Sequence, residues 1–175
     1  MILLALLPLV FFLLLWLFFL ANHGGDQTDQ LGLRQAFVLA GLFCSAALAL
    51  GTELLSLISG LTTAGVLGFW LGGILILGLF HWRTGFISKG FRRIKFGIKT
   101  WQLGWFDWAM LIATLLGLLV LLITGFRSPP NVHDVLAYHM SRVMHWAQIN
   151  SLTFFSTPNT WQLWMPPFSE FSQLH

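Results

Sequence analysis

Four long apolar stretches without a single charged residue limit what this chain can fold into. They cover residues 1–21, 35–52, 61–80 and 108–126. About 20 residues of α-helix, rising 1.5 Å each, cross a hydrocarbon core of about 30 Å. Because lipid offers backbone amides no hydrogen-bond partner, such segments must be helical. The sequence therefore predicts an all-α integral membrane protein with about four transmembrane helices.

The remaining composition agrees with a membrane protein. Charged residues make up 9% of the 175 positions, whereas about a quarter is typical of soluble domains. The first stretch lacks a basic segment ahead of it and runs longer than the apolar core of a secretion signal, so we interpret it as a retained span. The single cysteine, Cys44, lies inside the second stretch, and an intrachain disulfide is excluded.

The distribution of Lys and Arg predicts the orientation. Cytoplasmic segments carry an excess of positive charge, which places the segment 81–107, between the third and fourth spans, in the cytoplasm. With four spans, the amino terminus and the tail 127–175 then lie on the outer side of the cytoplasmic membrane. We interpret the basic segment as a loop that sets topology and contacts anionic membrane lipids. It holds six of the nine Lys and Arg residues: Arg83, Lys89, Arg92, Arg93, Lys95 and Lys99.

The tail begins with a pattern typical of an amphipathic helix. Pro129 and Pro130 end the fourth span, because proline lacks a backbone donor and clashes with the preceding turn. Asn131 suits the N-cap, and Asp134 then occupies the first turn, where a carboxylate favours the helix dipole. We predict a helix over 134–148 that lies on the outer leaflet, followed by an aromatic-rich outer loop. The predicted polar face carries Asp134, Tyr138, Ser141, Arg142 and His145, and the apolar face Leu136, Met140, Val143, Met144 and Ala147.

A carboxylate, a guanidinium and an imidazole at a bilayer surface could deprotonate an acceptor while binding the phosphate of a lipid-linked donor. Each residue also has a structural interpretation: Asp134 as a helix cap, Arg142 reaching toward lipid phosphates, and His145 as an interfacial side chain. Glu53, near the outer end of the second stretch, is a further candidate, or it simply sits in water at the interface.

Metal and nucleic acid are not expected partners from the residue pattern. His133, His139 and His145 are six residues apart, so successive side chains point about 120° apart on a helix. Metal-binding helices instead place two histidines four residues apart on one face. The basic segment lies in an apolar chain without interleaved exposed aromatics, which is unlike a nucleic-acid interface.

Two runs of the tail carry a resemblance to a known family. HDVLAYHMSRVMHWAQINS (133–151), followed by STPNTWQLWMPPFSEF (156–171), resembles the first outer loop of bacterial polytopic glycosyltransferases of the GT-C class, which are related to dolichyl-phosphate-mannose protein mannosyltransferases. In that class an acidic residue opens a juxtamembrane helix and serves as, or near, the catalytic base. Many relatives have Trp before this acid, where the chain has His133. The matching positions are Asp134, Tyr138, His139, Arg142, His145, Trp146, Pro166, Pro167 and Glu170.

The resemblance implies inverting transfer of a sugar from a polyprenyl-phosphate donor to an acceptor at the outer face. It implies Asp134 as catalytic base and a substrate-binding role for Tyr138, His139, Arg142 and His145. Glu53 and Glu170 are further possible site residues. No cofactor is evident, and dependence on a divalent metal stays open.

Enzymes of this class have ten or more spans, so the expected partners are a lipid-linked sugar donor, membrane lipids and the remaining spans of a longer enzyme. We expect this amino-terminal part alone to be inactive. The alternative is a small non-catalytic four-helix membrane protein, an assembly factor or transporter subunit whose outer helix binds a partner.

Overall fold

The structure is a computed structural model that describes residues 2–22, 30–100, 104–127, 135–164 and 167–175. Regular structure in these ranges is helical throughout, as the sequence predicts. The elements are α1 (Ile2–Asn22), α2 (Gln30–Leu57), α3 (Thr63–Thr84), α4 (Phe86–Thr100), α5 (Trp105–Arg127), a π-helical turn (Val135–His139), α6 (Met140–Ile149), α7 (Trp161–Trp164) and α8 (Phe168–Leu174).

Three helices are long and apolar enough to cross a membrane. They correspond to α2, α3 and α5, with qualifying stretches of 26, 22 and 21 residues. The described apolar part of α1, Leu6–Asn22, is shorter. The prediction of an all-α membrane protein is therefore confirmed at the level of three candidate spans.

Helix α1 lies at the centre of the packed part and contacts α2, α3 and α4. Trp16 donates its indole N–H to the carbonyl of Leu33, with 3.4 Å between nitrogen and oxygen, near the start of α2. The edge-to-face pairs Phe11–Trp70 and Phe18–Phe80 show that α1 and α3 run in the same direction. The turn between α2 and α3 and the start of α4 therefore lie at opposite ends of α3, which at 22 residues is about 33 Å long.

Helix α5 differs from the packed helices. Every side chain of α5 that the structure describes is exposed. Its sequence is almost wholly apolar, with Asp107 and Arg127 at its two ends. A helix that is apolar all round and exposed is suited to contact with lipid or with other spans.

The basic segment 81–107, predicted as a loop, contains a helix that the prediction missed. The first residues, 81–84, complete α3, and Gly85 ends it in the left-handed region with φ 62°, where glycine has no steric penalty. The backbone N–H of Gly85 donates to the carbonyl of His81 at 2.7 Å. After this corner α4 packs along α1, with Phe86 at its start fully buried.

The tail folds back on itself, which changes the predicted faces of its helix. Asn131 and Asp134, the predicted cap and first-turn acid, lie outside the described residues. Within the described part, the π-helical turn leads into α6, which ends at Asn150 in the left-handed region. The predicted polar residue Arg142 is buried, whereas Leu136 and Met144 on the predicted apolar face are 56% and 58% exposed. The physical reason is that α8 returns across α6 and supplies an anionic partner for Arg142.

The tail docks on the end of the α2–α3 hairpin. The backbone N–H of Leu61 donates to the carbonyl of Asn150 at 3.2 Å. The N–H of Leu152 donates to the hydroxyl oxygen of Ser56 at 2.7 Å, and the hydroxyls of Ser56 and Ser151 lie 3.2 Å apart. These contacts place the tail and the basic helix α4 at opposite ends of α3.

Candidate functional site in the tail

A fully buried carboxylate organises the tail. Glu170, at the start of α8, accepts hydrogen bonds from Arg142 Nη2, from His139 Nδ1 at 2.6 Å and from Ser169 Oγ at 2.8 Å. Burial raises the pKa of this carboxyl, but the hydrogen bonds from Arg142, His139 and Ser169 outweigh it, so the pKa lies below its ordinary value. Glu170 is therefore held as a carboxylate although its side chain is fully buried.

Arg142 is held from several sides. Its side chain is 2% exposed, and Nη1 also donates to the carbonyl of Gln162 at 3.3 Å. The guanidinium lies 5.2 Å from the ring centre of Trp146, a distance at which a cation is attracted to the ring face. Because a buried charge is tolerated only when it is paired and hydrogen-bonded, Arg142 and Glu170 depend on each other.

Gln162 ties the short helix α7 to the start of the tail helix. Its Nε2 donates to the carbonyl of Ala137 at 2.7 Å and to the hydroxyl of Ser141 at 2.8 Å. Its Oε1 accepts from Thr157 Oγ1 at 2.7 Å. Sequence reasoning did not single out Gln162, and no local pattern marks it, since the two acceptors of its Nε2, Ser141 and Ala137, are 21 and 25 residues away.

A cavity of about 350 Å³ opens between this network and the end of α2. The indole Nε1 of Trp146 is buried and has no hydrogen-bond partner within the described part of the chain. Glu53, in contrast, is exposed. The structure thus brings Glu53 and Arg142, two predicted site residues from different segments, to one cavity. The lining residues are Glu53, Arg142, Trp146, Leu152, Thr153, Phe154, Phe155, Gln162, Leu163, Pro167 and Phe171.

The other predicted site residues fall into three groups. Asp134, like the preceding His133, which was not itself a predicted site residue, lies outside the described ranges. Tyr138 and His139 lie side by side in the π-helical turn with ring centres 4.4 Å apart. The ring centre of His145 lies 3.9 Å from the ring centre of Phe155, a residue that lines the cavity. Among the residues that the structure describes, no three His, Cys, Asp or Glu side chains are grouped to hold a metal ion.

His175 anchors the end of the tail between two spans, a role that the sequence did not suggest. Its Nδ1 accepts a hydrogen bond from the indole N–H of Trp70 at 2.8 Å. Its Nε2 lies 2.9 Å from the hydroxyl of Thr52, whose own proton is directed to the carbonyl of Leu48 at 2.6 Å. Because an indole can only donate, the ring is neutral with its proton on Nε2. Burial lowers the pKa of His175 from 6.5 to about 4.

Comparisons with known proteins add no assignment. No family model, no curated protein and no solved structure matches the chain.

Proposed function

We propose that the chain is the amino-terminal part of a membrane glycosyltransferase of the GT-C type, which moves a sugar from a polyprenyl-phosphate donor to an acceptor at the outer face of the cytoplasmic membrane. In this proposal α1 is a fourth span, since its 21 residues measure about 32 Å. The basic helix α4 is cytoplasmic and the tail lies outside.

The observation that supports the proposal most is the convergence of the residues that carry the family resemblance. His139 and Arg142, on the tail helix, bond to Glu170, about thirty residues later. Trp146 lies beneath Arg142. These residues line or adjoin the cavity beside the ends of two apolar helices, and a π-helical turn of the kind found there is frequent at functional sites.

Asp134 is the proposed base that takes the acceptor proton. It directly precedes the π-helical turn that carries Tyr138 and His139. The donor supplies its own phosphate leaving group, so the chain needs no nucleotide site.

The contacts of Arg142 sharpen its proposed role. Its positive charge is already balanced by Glu170, and a guanidinium so paired attracts a phosphate less strongly than a free one. The main proposed role of Arg142 is therefore structural: it lines the cavity and keeps the shape of the substrate site fixed. Contact of Arg142 with donor phosphate remains a prediction of the resemblance.

The role of Asp134 as base can be tested by an assay of sugar transfer. The assay uses membranes that contain the chain together with the further spans of the proposed enzyme. Asp134→Asn keeps the shape of the side chain but removes the proton acceptor, so we expect transfer to fall roughly 100-fold to 10,000-fold. The assay follows a labelled sugar from a polyprenyl-phosphate donor into the acceptor fraction. Wild-type transfer by this variant at equal expression would remove Asp134 from the mechanism.

Asp107→Asn is the matched control. Asp107 accepts a hydrogen bond from the backbone N–H of Gly104 at 2.9 Å and caps the start of α5. Losing only the charge of a capping aspartate costs well under about 1 kcal/mol. Transfer should survive this change, which separates capping from catalysis.

The exposed apolar residues of the tail helix favour a second candidate function. Leu136 and Met144 are more than half exposed, which suits contact with a protein partner. A stable complex without sugar transfer in any donor assay would favour the non-catalytic assembly protein.

A further inference from the structure

Helix α4 presents three different faces, which follow from its sequence and its contacts. Successive residues of an α-helix turn by about 100°. Phe86, Gly90 and Arg93 therefore share one face, and Ile87, Phe91 and Ile94 a second face centred roughly 100° away. The third face, a similar angle farther on, carries Lys89, Arg92 and Lys95.

The first face is docked on α1. Phe86 is fully buried. A Cβ on Gly90 would lie 2.9 Å from the carbonyl oxygen of Leu17, so only glycine permits this approach of the two backbones. Arg93 Nη1 donates to the carbonyl of Leu20 at 2.8 Å, near the end of α1, where a cation suits the helix dipole.

The corner between α3 and α4 fixes the direction of α4. Besides the Gly85 turn, the backbone N–H of Ile87 donates to His81 Nδ1 at 3.2 Å. The hydroxyl of Ser88 donates to the carbonyl of Gly85 at 2.9 Å. Helix α4 is thus folded and oriented by the rest of the chain before it meets any partner.

The two remaining faces carry exposed side chains. On the apolar face Phe91 is 53% exposed, whereas Ile87 and Ile94 are half-buried. On the basic face Lys89, Arg92 and Lys95 are all exposed. Trp82, at the end of α3, is 87% exposed. An apolar face, a basic face and an exposed indole side by side match the layers of a bilayer surface, where acyl chains lie beside anionic headgroups.

We propose that α4 is a preformed interfacial helix that binds anionic phospholipid, with Phe91 in the acyl boundary and Lys89, Arg92 and Lys95 on the headgroup phosphates. Charge complementarity selects lipid, because each Lys or Arg near an anionic membrane surface is attracted to it. The exposed apolar face selects a bilayer over a soluble anion, which offers no apolar surface. This inference does not depend on sugar transfer.

Spin-labelled lipids test the proposal with the whole protein in symmetric vesicles, in which either insertion orientation gives the same lipid contacts. The measurement is the fraction of motionally restricted spin-labelled phosphatidylglycerol compared with spin-labelled phosphatidylcholine. We expect the phosphatidylglycerol fraction to be severalfold higher. The preference should largely vanish in about 1 M salt, where the Debye length is about 3 Å.

Charge variants assign that preference to α4. The double variant Arg92→Gln with Lys95→Gln should remove most of the preference for phosphatidylglycerol. The charge-conserving double variant Arg92→Lys with Lys95→Arg should keep the preference. Arg34→Gln with Arg127→Gln, which removes two other exposed cations, should retain most of it. Equal restriction of both lipids by the wild type, or a preference untouched by the Arg92 and Lys95 changes, would overturn the proposal.

Discussion

The charged residues near the two ends of α3 differ in burial. At the tail end, Arg142 and Glu170 are almost fully buried and bonded to each other. At the other end, Lys89, Arg92 and Lys95 are exposed on α4. A buried pair must hold one geometry, since the loss of either partner leaves an unpaired charge. Exposed charges are screened and mobile, so they suit a diffuse partner such as a lipid surface, whereas the buried pair suits a shaped site.

The largest expected effect concerns the side of the membrane on which each end lies. With Cys44 replaced by Ala, a cysteine at Ser156 should react fully with a membrane-impermeant thiol reagent in intact cells. A cysteine at Ser88 should react only after permeabilisation. Both positions are exposed, unlike Ser151, which is buried against Ser56. Reaction at Ser88 in intact cells would contradict the proposed orientation.

The second effect concerns the buried pair. Glu170→Gln leaves the guanidinium of Arg142 without its counter-charge, and breaking a buried pair in this way costs about 3–5 kcal/mol. We expect the tail to open, measured as faster amide hydrogen exchange in α6. Glu53→Gln changes an exposed acid, so the free energy of opening of the tail should stay within about 0.5 kcal/mol of the wild-type value. Replacing both partners, as Arg142→Met with Glu170→Leu, should recover most of the protection.

The smallest effect concerns the anchor at His175. In the docked tail its pKa is about 4, whereas a released ring has its ordinary value of about 6.5. Between these values the released tail binds more protons, so docking is strongest above about pH 6.5 and weakens as the pH falls toward 4. The mobility of a spin label at residue 156 should therefore rise as the pH falls from about 6.5 to 4.

Two substitutions check the source of this pH dependence. His175→Ala leaves the buried indole N–H of Trp70 unpaired, at a cost of about 1–3 kcal/mol, and should abolish the rise in mobility between pH 6.5 and 4. His145→Ala removes a ring that contacts Phe155 and should preserve the rise. A pH response that persists without His175 would refute this anchor as its origin.

Much of the helical framework was predictable from local sequence. The predicted spans 35–52, 61–80 and 108–126 lie within or largely overlap α2, α3 and α5. The helix in the basic segment was missed because its positive charge was interpreted as a loop that sets topology and contacts anionic lipids, without regard to helical spacing. The signal that could have revealed it is the helical spacing of apolar and basic residues, with Ile87, Phe91 and Ile94 on one face and Lys89, Arg92 and Lys95 on another.

The candidate site was predictable only in part. Tyr138, Arg142 and Glu53 were singled out, and the structure brings Arg142 and Glu53 to one cavity. Gln162 and His175 were missed, because partners that position them lie far away along the chain. Ser169 was missed because it bonds to its neighbour Glu170, whose own role depends on Arg142, 28 residues away. The catalytic role of Asp134 stays a prediction.

The sequence by itself determined that this is an α-helical membrane protein. The length and hydropathy of a segment can be read from its own residues, and a long apolar segment in lipid must be helical because lipid offers its backbone no hydrogen bonds. Only the tertiary structure decided which charges are buried. Arg142 and Glu170 are 28 residues apart, and helical periodicity placed Arg142 on a solvent-facing side. The return of α8 across α6 reversed that, since burial of an ion pair depends on where a distant carboxylate arrives and not on the local pattern around either residue.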